Sequence, residues 1–95
     1  MDTQKEVVMA ISQLTEELTN RKFVVGAKQL KKALKNGAAK KVFLACNADP
    51  AITEPIAALC QLNRVDFAWV RSMTDLGRAC GIEVGAAAAA AVDAT

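Results

Sequence analysis

The sequence predicts a single α/β layered domain. Helical and extended patterns alternate along the chain. One long stretch carries an apolar stripe at helical spacing, and Lys41-Val42-Phe43-Leu44-Ala45-Cys46 is a continuous apolar run of the kind found in a strand buried on both faces. With 95 residues, 53% of them hydrophobic, the chain can build one core and no more than one domain, spanning residues 1–95.

The elements follow in order. Residues 3–20 read as a helix, because Val7, Ile11, Leu14 and Leu18 recur at i, i+4, i+7 and i+11. Thr3 and Glu6 have the spacing of a capping box, each able to satisfy a free amide of the first turn. Phe23-Val24-Val25 suits a short strand, and Gly26 permits a tight turn into a second helix over about residues 27–36. Asn36-Gly37 is a favoured signal for the end of that helix. The central strand Lys41–Cys46 comes next, followed by the turn Asn47-Ala48-Asp49-Pro50. Ile52, Ile56, Leu59 and Cys60 then mark a third helix. Pro55 belongs in a first turn, which favours Thr53 over Asp49 as the cap. Val65–Val70 reads as a third strand. Ser72 and Asp75 suit the start of a fourth, short helix that ends near Gly81. The run Ala86–Ala91 is helix by intrinsic propensity, although its shortness, the preceding Gly85 and the closing Val92-Asp93 also fit a strand.

Composition narrows the function. The chain has no histidine, so a Cys/His or Ser/His catalytic device is impossible and a zinc site improbable. Cys46, Cys60 and Cys80 form no Cys-x-x-Cys pair and suit a reducing compartment. The carboxylates Asp49, Glu54, Asp66 and Asp75 are scattered and read as caps and surface charges, and no phosphate-binding P-loop occurs. The expectation is a protein without enzymatic activity, cofactor or metal. The first twenty residues are amphipathic and the alanine run is far too short to span a bilayer, so a cytoplasmic protein with no membrane contact is expected. The net charge is only +2, but Lys28, Lys31, Lys32, Lys35, Lys40 and Lys41 crowd into fourteen positions, a local anion-binding patch.

Two segments carry the functional signal. With Ala27, Leu30, Ala33 and Leu34 buried, the second helix turns Lys28, Lys32 and Lys35 to the opposite side, with Gln29 and Asn36 beside them. Its first turn, just after Gly26, offers free amides and the positive end of the helix dipole. Phosphates fit there while Gln29 reads a base edge. The competing reading is an ordinary solvated helix face. The second segment is Leu76-Gly77-Arg78-Ala79-Cys80-Gly81-Ile82-Glu83-Val84-Gly85-Ala86-Ala87. Gly81 and Gly85 frame three residues that, if extended, put Ile82 and Val84 on one side and Glu83 on the other. That makes an apolar platform for an unstacked base or a loop that covers the core edge. Phe23, Phe43, Phe67 and Trp69 lie in strands and belong to the core, and Cys80 reads as a small buried hydrophobe.

Val25-Gly26-Ala27-Lys28-Gln29, Lys32–Gly37, Ala48-Asp49-Pro50 and Leu76–Ala87, in this order over residues 22–92, resemble the kink-turn-binding ribosomal proteins of the large-subunit seven-Ae and thirty-e family. The resemblance is to the bacterial branch. It implies a three-layer α/β/α sandwich with a four-stranded mixed β-sheet in which Ala86–Val92 is a strand, overruling helix propensity. It also implies binding to kink-turns, RNA helices bent sharply at a bulge followed by tandem sheared G·A pairs. Gly26 and Ala27 then bring the helix start to the RNA. Lys28 and Gln29 stand where archaeal-type members have an Asn-Glu pair that reads the sheared guanines. Lys32 stands where a lysine contacts phosphate, and Lys35 extends that row. Ile82, Glu83 and Val84 stand in the loop that packs on the bulged nucleotides. Lys-Gln in place of Asn-Glu exchanges a carboxylate acceptor for a neutral amide and adds a phosphate-seeking cation.

The expected partner is therefore a structured RNA containing a kink-turn, ribosomal or otherwise, with the ribosome as one setting. Nothing demands a dimer, so a monomer is expected. The competing function is a protein-interaction or scaffold module in which the Gly81–Gly85 loop is a hydrophobic hot spot. A small-ligand or nucleotide site on the same glycine-rich edge is a third reading.

Overall fold

The computed structural model describes residues 8–9 and 22–92. Five strands form one mixed sheet: β1 (Val8–Met9), β2 (Lys22–Val25), β3 (Ala39–Ala45), β4 (Asp66–Val70) and β5 (Ala88–Val92), in the order β1-β4-β3-β5-β2. Strands β1, β4 and β3 run parallel, and β5 is antiparallel to both of its neighbours, β3 and β2. Three helices are described: α1 (Ala27–Lys35), α2 (Pro50–Leu62) and α3 (Met73–Ala79). The four-stranded mixed sheet anticipated from the sequence is β2–β5, and β1 adds a two-residue edge.

Side-chain alternation builds a core on each face of the sheet. Val42, Leu44, Trp69, Ala88 and Ala90 point to the face covered by α1 and α2, where they pack with Leu30, Leu34, Ile56 and Cys60. Phe43, Ala45, Val70, Ala89 and Ala91 point to the other face and pack with Leu76 and Cys80 of α3 and its end. The aromatic residues lie where strand placement predicts: Phe43 and Trp69 are buried, and Phe67 meets Trp69 edge-on with ring centroids 6.4 Å apart.

The alanine run is a strand. Ala89, Ala90 and Ala91 each have a pairing partner on both sides, Phe43, Val42 and Lys41 on β3 and Val25, Val24 and Phe23 on β2. Its side chains enter the cores on both faces of the sheet, and all of Ala88–Ala91 are at most 1% exposed. Two rows of ladder bonds and burial on both faces outweigh a helix preference of a few tenths of a kcal/mol per residue.

Two sequence expectations need correction. Residues 3–20 were expected to be helical, but Val8 and Met9 pair in parallel with Trp69 and Val70, supplying the hydrogen-bonding edge that β4 lacks on that side. The rest of that expected helix, with its Thr3–Glu6 capping box, lies outside the described residues. Helix α2 begins at Pro50, with Asp49 as its cap: the Asp49 side chain accepts from the Ala51 amide at 2.9 Å. Pro50 occupies the first helical position, where its fixed φ and missing N–H are harmless, so Pro55 falls inside the helix and Thr53 is buried rather than capping.

All three helices end alike, with the amides of the two residues after the last helical cap turned back onto the final turn. Gly37 and Ala38 bond to Leu34 and Ala33, Arg64 and Val65 to Gln61 and Cys60, and Gly81 and Ile82 to Arg78 and Gly77.

Candidate nucleic-acid interface

The C-terminal ends of β2, β3 and β4 and the start of β5 lie at one end of the sheet, and the two segments singled out above meet there. The Gly26 amide donates to Ala88 O at 3.1 Å, tying the entry of α1 to the first residue of β5. The Ala45 amide donates to Ala87 O at 2.9 Å, tying the end of β3 to the loop before β5. Gly26 has φ +103 with ψ 145, a conformation open in practice only to glycine, and it lets the chain turn directly from β2 into α1.

On α1 the sequence reading holds residue by residue. Leu30, Ala33 and Leu34 are buried, Ala27 packs at the core edge, and Lys28, Gln29, Lys32 and Lys35 are exposed. The first turn contains no acid, and Gly26 at the cap position has no side chain with which to accept from its amides. By contrast Asp49 caps α2 and Ser72 caps α3, where its hydroxyl accepts from the Asp75 amide at 3.1 Å, at the helix start the sequence places at these two residues. The start of α1 thus keeps its dipole and its amides for a ligand. Lys28, Lys31, Lys32, Lys35 and Asn36 line one shallow depression along the helix. Gln29 lies on the other flank of that row, sharing with Lys32 and Asn36 a groove also lined by Val24, Ala33 and Val92.

The lysine cluster does not stay together. Lys40 and Lys41 open β3 at the opposite end of the sheet, and the Lys41 ammonium lies 5.7 Å from the centre of the Phe43 ring. Of the described lysines, only those of α1 extend to the end where Gly26 and the β5 loop meet.

The Gly81–Gly85 loop differs from the extended platform expected. Ile82 is half-buried and packs into the core cluster of Leu76 and Cys80, while Val84 is 71% exposed and Glu83 is exposed. The cause is the helix ending. Gly81, at φ +76, reverses the chain so that Ile82 folds back on the last turn of α3. Ile82 anchors the loop and Val84 is the aliphatic it offers to solvent.

The loop backbone presses onto α3. A side chain at Gly77 would collide with the Val84 carbonyl, and one at Gly85 would come within 3.0 Å of the Met73 Cβ. The Ala86 amide donates to Met73 O at 3.0 Å. Sequence reasoning framed the loop with Gly81 and Gly85 and missed Gly77 and Met73 as its seat. It also missed Asn47, whose side-chain oxygen accepts from the Met73 amide at 2.8 Å across 26 residues of sequence. No local pattern signals such a bond.

Burial pushes the Cys60 and Cys80 thiols up to about 11, as expected for small core residues. Among the described residues no group of three or more Cys, Asp or Glu side chains could hold a metal ion, and no helix is long and apolar enough to cross a membrane.

A model of the "Ribosomal protein L7Ae/L30e/S12e/Gadd45 family" matches residues 9–95. The chain belongs to this family. The L7Ae-family assignment agrees with the resemblance read from Val25–Gln29 and Leu76–Ala87. A Bacillus pumilus protein named RNA-binding protein is 51% identical to this chain over 67 residues, 70% of this chain and 82% of the relative. The RNA-binding protein YbxF of Geobacillus stearothermophilus is 46% identical over 69 residues, 73% of this chain and 84% of the relative. In fold, this L7Ae-family chain matches the Giardia lamblia 15.5kD RNA binding protein with a TM-score of 0.81 at 23% identity, covering 98% of this chain and 84% of that one.

Proposed function

We propose that this protein binds structured RNA and stabilises a kink-turn, with no covalent chemistry of its own. The observation that carries the reading is the meeting, at one end of the sheet, of an uncapped lysine-bearing helix start with a loop that is fastened to α3 and exposes Val84. The names of the bacterial relatives support RNA as the ligand. Lys28 and Lys32 hold phosphates, with Lys35 extending the row along the helix. Gly26 and Ala27 let the RNA backbone approach the free amides. Gln29 reads the edge of the sheared G·A pairs, donating and accepting through its amide. Val84 packs on the bulged nucleotide, Ile82 holds the loop in place, and Glu83 borders the contact. A straight duplex cannot reach both surfaces at once, so binding draws the RNA towards its bent form.

The same reading has the protein act in the cytoplasm as a monomer on ribosomal or other folded RNA. Thiols held near 11 are poor nucleophiles at neutral pH, which suits a binding role.

The test is a titration of a kink-turn duplex beside a copy whose tandem G·A pairs are replaced by Watson–Crick pairs, at equal salt and magnesium. Tight binding to the first alone is expected. Equal, weak binding to both would reduce the lysine row to a non-specific patch and move the Val84 loop to a protein-interaction role.

A further inference from the structure

We infer that Asn47 is a positioning residue for RNA recognition, a role that rests on the function proposed above: it sets the place of the Ile82–Val84 loop by way of Met73. The turn after β3 is fixed to the sheet. The Cys46 amide donates to Val70 O at 2.7 Å, the Ala48 amide donates to Ala45 O at 3.2 Å, and the Ala48 side chain is buried. From this fixed point the Asn47 side-chain oxygen takes the amide of Met73, the first residue of α3, at 2.8 Å. The Ser72 hydroxyl takes a different amide of the same turn, that of Asp75, so the two acceptors do not compete.

Met73 in turn holds the loop. Its carbonyl accepts from the Ala86 amide at 3.0 Å, and its Cβ is where a side chain on Gly85 would strike. One turn further along α3, Gly77 accepts from the Ile82 amide at 3.0 Å and leaves room for the Val84 carbonyl. Both fastenings of the loop onto α3 therefore depend on where the first turn of α3 sits. Ser72 caps that turn locally but cannot say where it lies relative to the sheet. Asn47 can, because it belongs to a different loop. A shift of α3 by a fraction of an ångström carries Val84 with it, while α1 and its lysines stay in place on the other face.

The test compares wild type with Asn47→Ala and Asn47→Asp. Affinity for the kink-turn duplex and its G·A-replaced copy is measured across salt concentrations, and amide hydrogen exchange is followed in the free protein. Asn47→Ala is expected to bind the kink-turn roughly tenfold more weakly, the scale of one lost hydrogen bond. Its salt dependence should be unchanged, because no phosphate contact is removed. Exchange at Ile82 and Ala86 should quicken while Leu30 and Leu34 in α1 stay as protected as in wild type. Asn47→Asp should restore both affinity and protection, since a carboxylate accepts the same amide and suits the positive end of a helix. Wild-type affinity in Asn47→Ala, or lost affinity with unchanged exchange at Ile82 and Ala86, would overturn the inference. So would an Asn47→Asp variant with a protected loop that still binds weakly at high salt, where its added charge is screened, which would make Asn47 a direct donor to the RNA. Failure of the wild type to distinguish the two duplexes would instead sink the proposed function itself, and is visible without either variant.

Discussion

At the scale of single residues, the helix ends separate what the backbone requires from what the side chain contributes. The three turns that close α1, α2 and α3 use the same pair of hydrogen bonds, and two of them place glycine at the reversing position. The third places Arg64 there, at φ 56. A side chain in that conformation costs about 1–2 kcal/mol, against about 0.5–1 kcal/mol for the extra freedom glycine gives the unfolded chain. Arg64→Gly is therefore expected to stabilise the protein by up to about 1 kcal/mol, read as a higher urea midpoint with an unchanged slope. The lysines divide by position in the same way. Lys32→Ala should lower the slope of log affinity against log salt for kink-turn RNA by about one unit. Lys40→Ala, at the far end of the sheet, should leave that slope unchanged. The Arg71–Asp75 ion pair spans 3.1 Å but its arginine side chain is 79% exposed, so it contributes little to stability.

At the scale of elements, α3 and the loop after it behave as one part. Gly77→Ala should gain about 1 kcal/mol from helix propensity, but the new methyl meets the Val84 carbonyl, a backbone atom that cannot swing aside. The clash wins, and the variant is expected to be less stable by roughly 1–3 kcal/mol and to bind kink-turn RNA more weakly. Thermal unfolding and RNA titration read the two effects separately. This coupling also marks what could be read from the chain beforehand. Patterns confined to a few neighbours were legible: the buried and exposed faces of α1, the Ser72 cap, the strand cores at Phe43 and Trp69. Pro55 taken as a first-turn residue points to Thr53 as the cap, but Pro50 already occupies that turn and Asp49 caps it. The strand character of Ala88–Val92 was invisible to propensity, because it depends on two neighbouring strands and two covering layers rather than on alanine. Residue resemblance supplied it instead. Alternation along an extended loop points Ile82 outward, whereas the reversal at Gly81 folds it inward. Val8–Met9 joined the sheet through partners sixty residues away, which no local window contains.

At the scale of the whole molecule, each face of the sheet buries one thiol in its core cluster, Cys60 on the inner side of α2 and Cys80 at the end of α3. Burial raises both to about 11 from an ordinary value of 9.0, so the unfolded chain gives up these protons first as pH rises. Their contribution to stability is complete below about pH 9 and is lost as pH climbs through about 11. Denaturation midpoints taken from pH 8 to 11 should fall accordingly, and replacing both thiols by alanine should flatten that fall while lowering the plateau through lost packing. The place of β5 in the sheet has a different consequence, for how the protein comes into being. It follows every other described element in the chain, yet it sits between β3 and β2, and β2 has no other pairing partner among the described strands. A nascent chain emerging from its N-terminus holds β2, α1, β3 and β4 in solution with their middle missing. The strand that joins them, and the Ala88 carbonyl that receives Gly26, arrive last. Assembly of this end of the sheet is thereby tied to the synthesis of residues 88–92: the helix that carries the lysines is not fastened beside the Val84 loop until that strand has left the tunnel.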